Sequence, residues 1–247
     1  MNCPELSRHQ RAVLLFSGGK ESVMLAHMLE VHRDKIELVW VNTGAMLPHM
    51  EEFIRSYGER WSLVELHSDQ PARLRTVGLP SRIVPIYNTP LGTTMEREPK
   101  GRAMITDWVS CCAALRGHPV FEYMRANDRT LLYHGQRRGD NTFGNTSFPG
   151  AEVIAPLWDY STEQVMRYVR HHGLPLPKQY PAVLDSLECW NCTAELGADR
   201  VAWLKENYPE RIPELRAMVG TVSEAVSAAI RRETPGIAEM MADKSVV

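Results

Sequence analysis

The sequence predicts an α/β fold: a doubly wound, mainly parallel sheet followed by a C-terminal helical extension. Three observations predict it. Short apolar runs alternate with stretches of helical periodicity over the first third of the chain. The first apolar run ends in a glycine turn that opens directly onto a helix. From Ala194 onward the spacing is helical, with proline punctuation at Pro209, Pro213 and Pro235. Alternating strand and helix signals of this kind build parallel sheets covered on both faces.

Ala12 to Phe16 is a short apolar run and reads as a buried parallel strand. Lys20 to His32 follows as helix, with Val23, Met24, Leu25, Met28, Leu29 and Val31 on its apolar side. Ile36 to Val41 is the second strand, stopped by Asn42-Thr43-Gly44. Met50 to Trp61 reads as helix and Leu63 to Leu66 as a third strand. Pro71 to Gly101 carries five prolines and three glycines and reads mostly as loop, with one strand at Arg82 to Ile86. Arg116 to Ala126 reads as helix, Thr130 to His134 as strand, and Asn141 to Gly150 as loop. Ser161 with Gln164 forms a capping signature for a helix over Thr162 to His172. The expected division is residues 1–194 as a nucleotide-binding α/β domain containing the clustered cysteines, and 195–247 as the helical extension.

The chain has 247 residues, 44% of them hydrophobic and 23% charged, which excludes a mostly disordered or fibrous protein. Its 28 basic and 30 acidic residues give a net charge of −2, so no global basic field would hold a nucleic acid. No apolar run approaches the roughly 18 residues of a membrane span. Met1 to Gln10 is polar, without a signal-peptide core, and a cytoplasmic protein without membrane partners is expected. In that compartment five cysteines read as metal ligands or reactive thiols rather than disulfides.

Ser17-Gly18-Gly19-Lys20-Glu21-Ser22 joins the first strand to the first helix. Two glycines let the backbone approach an anion, and the helix start offers free N–H groups and its positive dipole end. Ser17 and Ser22 add hydroxyls and Lys20 a cation. The plainer alternative is a serine cap after a glycine turn. The loop is not a Walker A motif, since Leu14 stands five residues before Gly19. A second set is Cys111-Cys112 with Cys189-Trp190-Asn191-Cys192. Four thiolates can ligate a cubane iron–sulfur cluster or zinc, although an adjacent pair suits tetrahedral zinc less well. A redox pair plus buried thiols is the alternative without metal. Trp108 and Trp190 beside these cysteines shield a cluster or belong to the core. Cys3 has no partner motif. Gly135-Gln136-Arg137-Arg138 follows a strand, so its guanidiniums can meet phosphate or sulfate, or form a solvated pair. His171-His172 reads as a helix C-terminus.

Ser17 to Ser22 resembles the SGGxDS loop of the PP-loop ATP pyrophosphatases, or adenine nucleotide α-hydrolases, with Glu21 in place of Asp. Val41-Asn42-Thr43-Gly44, with Pro48 and Glu51, resembles the second-strand segment of the phosphoadenosine phosphosulfate (PAPS) reductase branch, with Asn42 where Asp is common. Pro156 to Ser161 resembles a structural turn of that branch. With this loop, the four cysteines resemble the 4Fe–4S signature of adenylyl-sulfate (APS) reductases and of the iron–sulfur ATP pyrophosphatase of DNA phosphorothioation. The resemblance covers about Ala12 to Ala194. It implies a Rossmann-like fold and catalytic roles for Lys20, Ser17 and Ser22. It implies nucleotide or phosphate contacts from Ser17 to Ser22, Val41, Asn42, Thr43, Gly135, Arg137 and Arg138, and metal ligation by Cys111, Cys112, Cys189 and Cys192. The implied cofactors are a 4Fe–4S cluster, with zinc as alternative, ATP or APS/PAPS, and Mg²⁺. Sulfonucleotide reductases carry a nucleophilic cysteine in a C-terminal Glu-Cys-Gly-Leu/Ile-His segment, and no cysteine follows Cys192 here. The expected reaction is therefore cleavage of ATP to AMP and pyrophosphate, by adenylylation, in sulfur transfer. The alternatives are an APS/PAPS reductase with an external or N-terminal thiol, and a non-catalytic nucleotide-binding redox sensor. Candidate partners are an adenine nucleotide, a sulfur-donor or reductant protein, a nucleic-acid acceptor and a second copy of the chain.

Overall fold

The structure is a computed structural model that describes Met1 and residues 3–83, 105–138, 140, 150–233 and 236. The chain forms two compact units, Met1–Asp69 with Ala114–Trp190, and Gln70–Ala113 with Asn191–Val247.

The first unit is built on five parallel strands in the order β3-β2-β1-β6-β7. They are β1 (Ala12–Leu15), β2 (Ile36–Asn42), β3 (Ser62–His67), β6 (Leu131–Tyr133) and β7 (Glu152–Ile154). Side chains alternate across the sheet, as a pleated strand requires. Leu14, Phe16, Leu38, Trp40, Leu131 and Tyr133 pack on one side. There they meet Met24 and Leu25 of α1 (Lys20–Leu29), Met50 and Ile54 of α2 (Pro48–Ser56), and Val165 and Val169 of α6 (Thr162–His171). Val13, Val39 and Leu132 face the other side, against Val120 and Met124 of α5 (His118–Ala126). Helices therefore cover both faces, and the doubly wound α/β class is observed. The strand order reverses between β1 and β6, which are paired at Val13–Leu132 and Leu14–Tyr133. Ligands of open α/β sheets bind at the carboxyl ends of strands at such a reversal.

The second unit holds a two-stranded parallel sheet, β4 (Leu79–Ser81) with β5 (Ile105–Asp107). It also holds α3 (Gln70–Thr76), α4 (Trp108–Cys112), α7 (Ala198–Asn207) and α8 (Ile212–Glu233). This grouping differs from a consecutive 1–194 and 195–247 division. Leu79 and Ile105 bury against Met218, Val222 and Ala229 of the last helix, so the middle and the end of the chain share one core. The proline-rich segment holds a helix, α3, that its composition hides, and among its described residues a strand lies at Leu79–Ser81, with Arg82 and Ile83 of the strand expected at Arg82–Ile86 in a bend after it. Residues 84–86 of that expected strand, and 141–149 of the expected loop, lie outside the described residues. The helix expected over Arg116–Ala126 begins as a π-helical turn, Ala113–Gly117, before α5.

Ser161 caps α6 as expected. Its hydroxyl accepts from the Gln164 amide at 3.2 Å while the Gln164 side chain accepts from the Ser161 amide at 2.7 Å. Because both orphan donors are satisfied reciprocally, Ser161→Ala should lower stability by about 1 kcal/mol. Chemical denaturation with an unchanged m-value checks this.

Candidate functional site

The Ser17–Ser22 loop sits at the carboxyl end of β1, at the strand reversal. Gly18 has φ +72°, and a Cβ there would lie 2.8 Å from Ile54 Cγ1, so only glycine fits. Gly19 is the N-cap of α1 and supplies no side chain, so the helix start is left to other acceptors. The Gly19 amide donates to Ser17 Oγ at 3.3 Å, and Ser22 Oγ donates to the Gly19 carbonyl at 2.9 Å. The Lys20 amide donates to the Tyr180 hydroxyl at 2.8 Å, and Lys20 Nζ donates to the Leu184 carbonyl at 2.7 Å.

The glycine turn after β6 closes on the same helix. A Cβ on Gly135 would lie 2.9 Å from Glu21 Cβ and 3.4 Å from the Ser22 amide nitrogen. This contact brings Arg137 to Glu21. Glu21 Oε1 lies 3.0 Å from Lys20 Nζ and 3.1 Å from Arg137 Nε, as ion pairs rather than aligned hydrogen bonds. Arg137 is 9% exposed and also donates to Thr162 Oγ1 at 2.8 Å and Asp140 Oδ1 at 2.6 Å. Its guanidinium is thus committed to protein partners. Arg138 is exposed instead, paired with Asp159 at 2.6 Å and lying over the Trp158 ring at 5.8 Å. A surface cleft is lined by Arg137, Arg138, Trp158 and Tyr160. The two arginines expected to act alike therefore differ. One braces the loop, and the other faces solvent.

At the end of β2, Val41 is partly buried. Asn42 Nδ2 donates to Glu65 Oε1 at 2.9 Å, and Asn42 Oδ1 accepts from the Gly44 amide at 3.0 Å. Burial works to raise the Glu65 pKa, but hydrogen bonds from Arg55 and Asn42 outweigh it and hold it below the usual range. Thr43 is fully buried, and its hydroxyl lies 3.4 Å from Cys189 Sγ.

The remaining cysteines of the expected metal set lie in the second unit. Burial first, and the neighbouring Cys112 second, push the Cys111 thiol up to about 11, while Arg73 opposes this. Burial likewise raises Cys192, with Cys112 adding to it. The three thiols feel one another. Yet among the described residues no group of three or more His, Cys, Asp or Glu is arranged to hold a metal ion. As placed, they do not form a ligand cage for iron or zinc. For Mg²⁺, the loop's own carboxylate, Glu21, is engaged by two cations.

Sequence reasoning missed four residues of this region. Tyr180 and Leu184 come from a segment without periodicity, and Asp140 lies too close to Arg137 in sequence to signal a brace. His134 ends β6 and is 3% exposed. Its Nδ1 accepts from the Gln136 amide at 3.3 Å, which leaves the proton on Nε2, a buried atom that has no hydrogen-bond partner among the described residues. Its only sequence signal was its place at a strand end before a glycine.

The phosphoadenosine phosphosulfate reductase domain family matches residues 11–195. The chain belongs to that family. An adenosine 5'-phosphosulfate reductase of Bacillus cereus is 21% identical over 189 residues, covering 73% of this chain and 72% of the relative. One from Deinococcus radiodurans is 28% identical over 90 residues, covering 34% of this chain and 35% of the relative. An uncharacterized protein of Methanocaldococcus jannaschii is 21% identical over 203 residues, covering 79% of this chain but 44% of that longer protein. A phosphoadenylyl-sulfate reductase of Candida auris, solved with phosphate, superposes with a TM-score of 0.46 at 12% identity. It covers 72% of this chain and 82% of that one. Among the described residues, no helix is long and apolar enough to cross a membrane.

His134 generates a pH prediction. Desolvation lowers its pKa from 6.5 to about 4. The unfolded chain takes up the proton near pH 6.5, whereas the folded protein refuses it until about pH 4. Its contribution is full above pH 6.5 and is lost progressively as pH falls toward 4, by up to about 3 kcal/mol. His134→Gln should flatten the pH dependence of unfolding free energy over that window. An unchanged slope in denaturation series from pH 7 to 4 would contradict the assignment.

Proposed function

We propose that the chain binds an adenine nucleotide through its phosphates at the Ser17–Ser22 loop. In this reading it cleaves ATP at the α-phosphate, releasing pyrophosphate and adenylylating an acceptor in sulfur metabolism. One observation carries the reading: α1 begins on a glycine with no side-chain cap, at the strand reversal, with a buried lysine in its first turn. Such a helix start favours negative charge, and a lysine ammonium adds a charge-assisted donor. In the proposed reaction, Lys20 and the loop amides hold the charge that develops on the leaving pyrophosphate. Ser17 and Ser22 shape the loop through their bonds to Gly19. Arg137 fixes Glu21, and through it Lys20. Arg138, exposed at the cleft and paired with the equally exposed Asp159, is the guanidinium that an anionic substrate would reach. No step is assigned to Mg²⁺.

A second reading is reductive cleavage of a sulfonucleotide. The Bacillus and Deinococcus relatives named adenosine 5'-phosphosulfate reductases favour it. That chemistry needs a thiol to attack sulfur. A reductant protein or the N-terminal Cys3 would supply it. Incubation with ATP and with adenylyl sulfate plus a thiol reductant separates the readings: pyrophosphate release supports the first, and sulfite release the second. Lys20→Ala should abolish turnover of the true substrate and weaken nucleotide binding about ten- to a hundredfold, with the circular dichroism spectrum retained. Unchanged affinity and turnover in that variant would remove the phosphate-loop assignment.

The 4Fe–4S reading of Cys111, Cys112, Cys189 and Cys192 rests on the sequence pattern. A cluster would supply redox or sulfur chemistry. Anaerobically prepared protein should be brown with about four irons per chain. Serine at any one of the four positions should lower iron content, whereas Cys3→Ser should not. Stoichiometric zinc without iron would replace the cluster with the zinc alternative.

A further inference from the structure

The anion-binding groups of the phosphate loop are already in use. Lys20 is held by oxygens of a single segment, its amide on the Tyr180 hydroxyl and its ammonium on the Leu184 carbonyl, while the ammonium also faces Glu21 Oε1 at 3.0 Å. The same segment covers the glycine that lets an anion approach. A Cβ on Gly19 would lie 3.1 Å from Ser186 Cβ and 3.4 Å from the Tyr180 hydroxyl. Tyr180 is 4% exposed, so its hydroxyl is held out of water.

The segment is closed on itself and anchored at both ends. Gln179, fully buried, donates to the Asp185 carbonyl at 3.1 Å and pairs with His49 at 2.9 Å. At the far end Glu188 pairs with Arg116, and the Trp190 amide donates to the Ala45 carbonyl at 3.0 Å. Between these anchors Leu187 is held at φ +35°, a conformation that a branched side chain adopts only under strain. Leu184, whose carbonyl serves Lys20, turns its own side chain outward, 48% exposed.

We propose that Tyr180–Ser186 is an internal strap that holds the phosphate loop closed with its own neutral oxygens, and that a pyrophosphate or nucleotide phosphate binds by displacing it. The inference rests on the reading of Ser17–Ser22 as a phosphate loop and adds its regulation. The exchange is favourable for the bonds to Tyr180 and Leu184, each of which trades a neutral acceptor for a charged one, because hydrogen bonds to ionised oxygen are roughly twice as strong; the Lys20–Glu21 ion pair is not part of it. The strain at Leu187 makes the closed form easier to leave.

Inorganic pyrophosphate is the probe, with the full chain and its Tyr180→Phe and Lys20→Ala variants. Removing the Tyr180 hydroxyl leaves the Lys20 amide without its closed-state acceptor and raises the population of the open loop. Calorimetry should show Tyr180→Phe binding pyrophosphate about three- to tenfold more tightly than the wild type. Limited chymotrypsin cleavage after Leu184 should accelerate when pyrophosphate saturates the wild type, and in Tyr180→Phe without ligand. Equal or weaker binding by Tyr180→Phe, or cleavage that pyrophosphate leaves unchanged, would overturn the strap. If Lys20→Ala still abolishes pyrophosphate binding in that case, the phosphate loop stands without the strap. If pyrophosphate binds none of the three proteins, both fall together.

Discussion

The contact between Gly135 and the first turn of α1 is the constraint on which the site depends. Parallel pairing of β1 with β6 delivers the two strand ends side by side, and a glycine after β6 lets that turn close onto Glu21 and Ser22. Any side chain at 135 would hold the two apart. With the approach made, Arg137 reaches Glu21, Glu21 steadies Lys20, and Lys20 stands at the uncapped helix start. Thr162 and Asp140 complete the seating of Arg137, which ties the first turn of α6 to the loop. A buried Arg–Glu–Lys arrangement of this kind is costly to break, because removing one partner strands the others in a low-dielectric setting.

Much of the sheet was legible in the sequence because its strands are uninterrupted apolar runs ending at glycine or asparagine turns. Ala12–Phe16 and Ile36–Val41 are buried almost throughout, and burial on both faces is what such runs encode. The turn at Ser17–Ser22 was legible because its glycines serve the backbone geometry there rather than the core. The capping box at Ser161 was legible because it is local.

Other features depend on tertiary contacts that no local signal announces. The middle of the chain was opaque because the partners of Leu79 and Ile105 lie on a helix more than a hundred residues later. The difference between Arg137 and Arg138 was invisible because adjacent residues carry identical charge and diverge only in burial. The segment from Gln179 to Glu188 was invisible for another reason. It forms through carbonyl and hydroxyl contacts with residues some 130 to 165 positions away, and its composition resembles any loop.

The asparagine at the end of β2 has a consequence for how sequences of this family can vary. Asn42 lends one amide hydrogen to Glu65, and Glu65 is also held by Arg55 from α2. An aspartate in its place would set a second carboxylate against the first at hydrogen-bonding distance, where two like charges cannot both remain ionised. Positions 42 and 65 are therefore a linked pair. A chain with aspartate at the first should carry a neutral or basic residue at the second, and the Arg55 contact loses its purpose there. In this chain the choice of an amide converts what would be a site of negative charge into a rigid joint between two neighbouring strands.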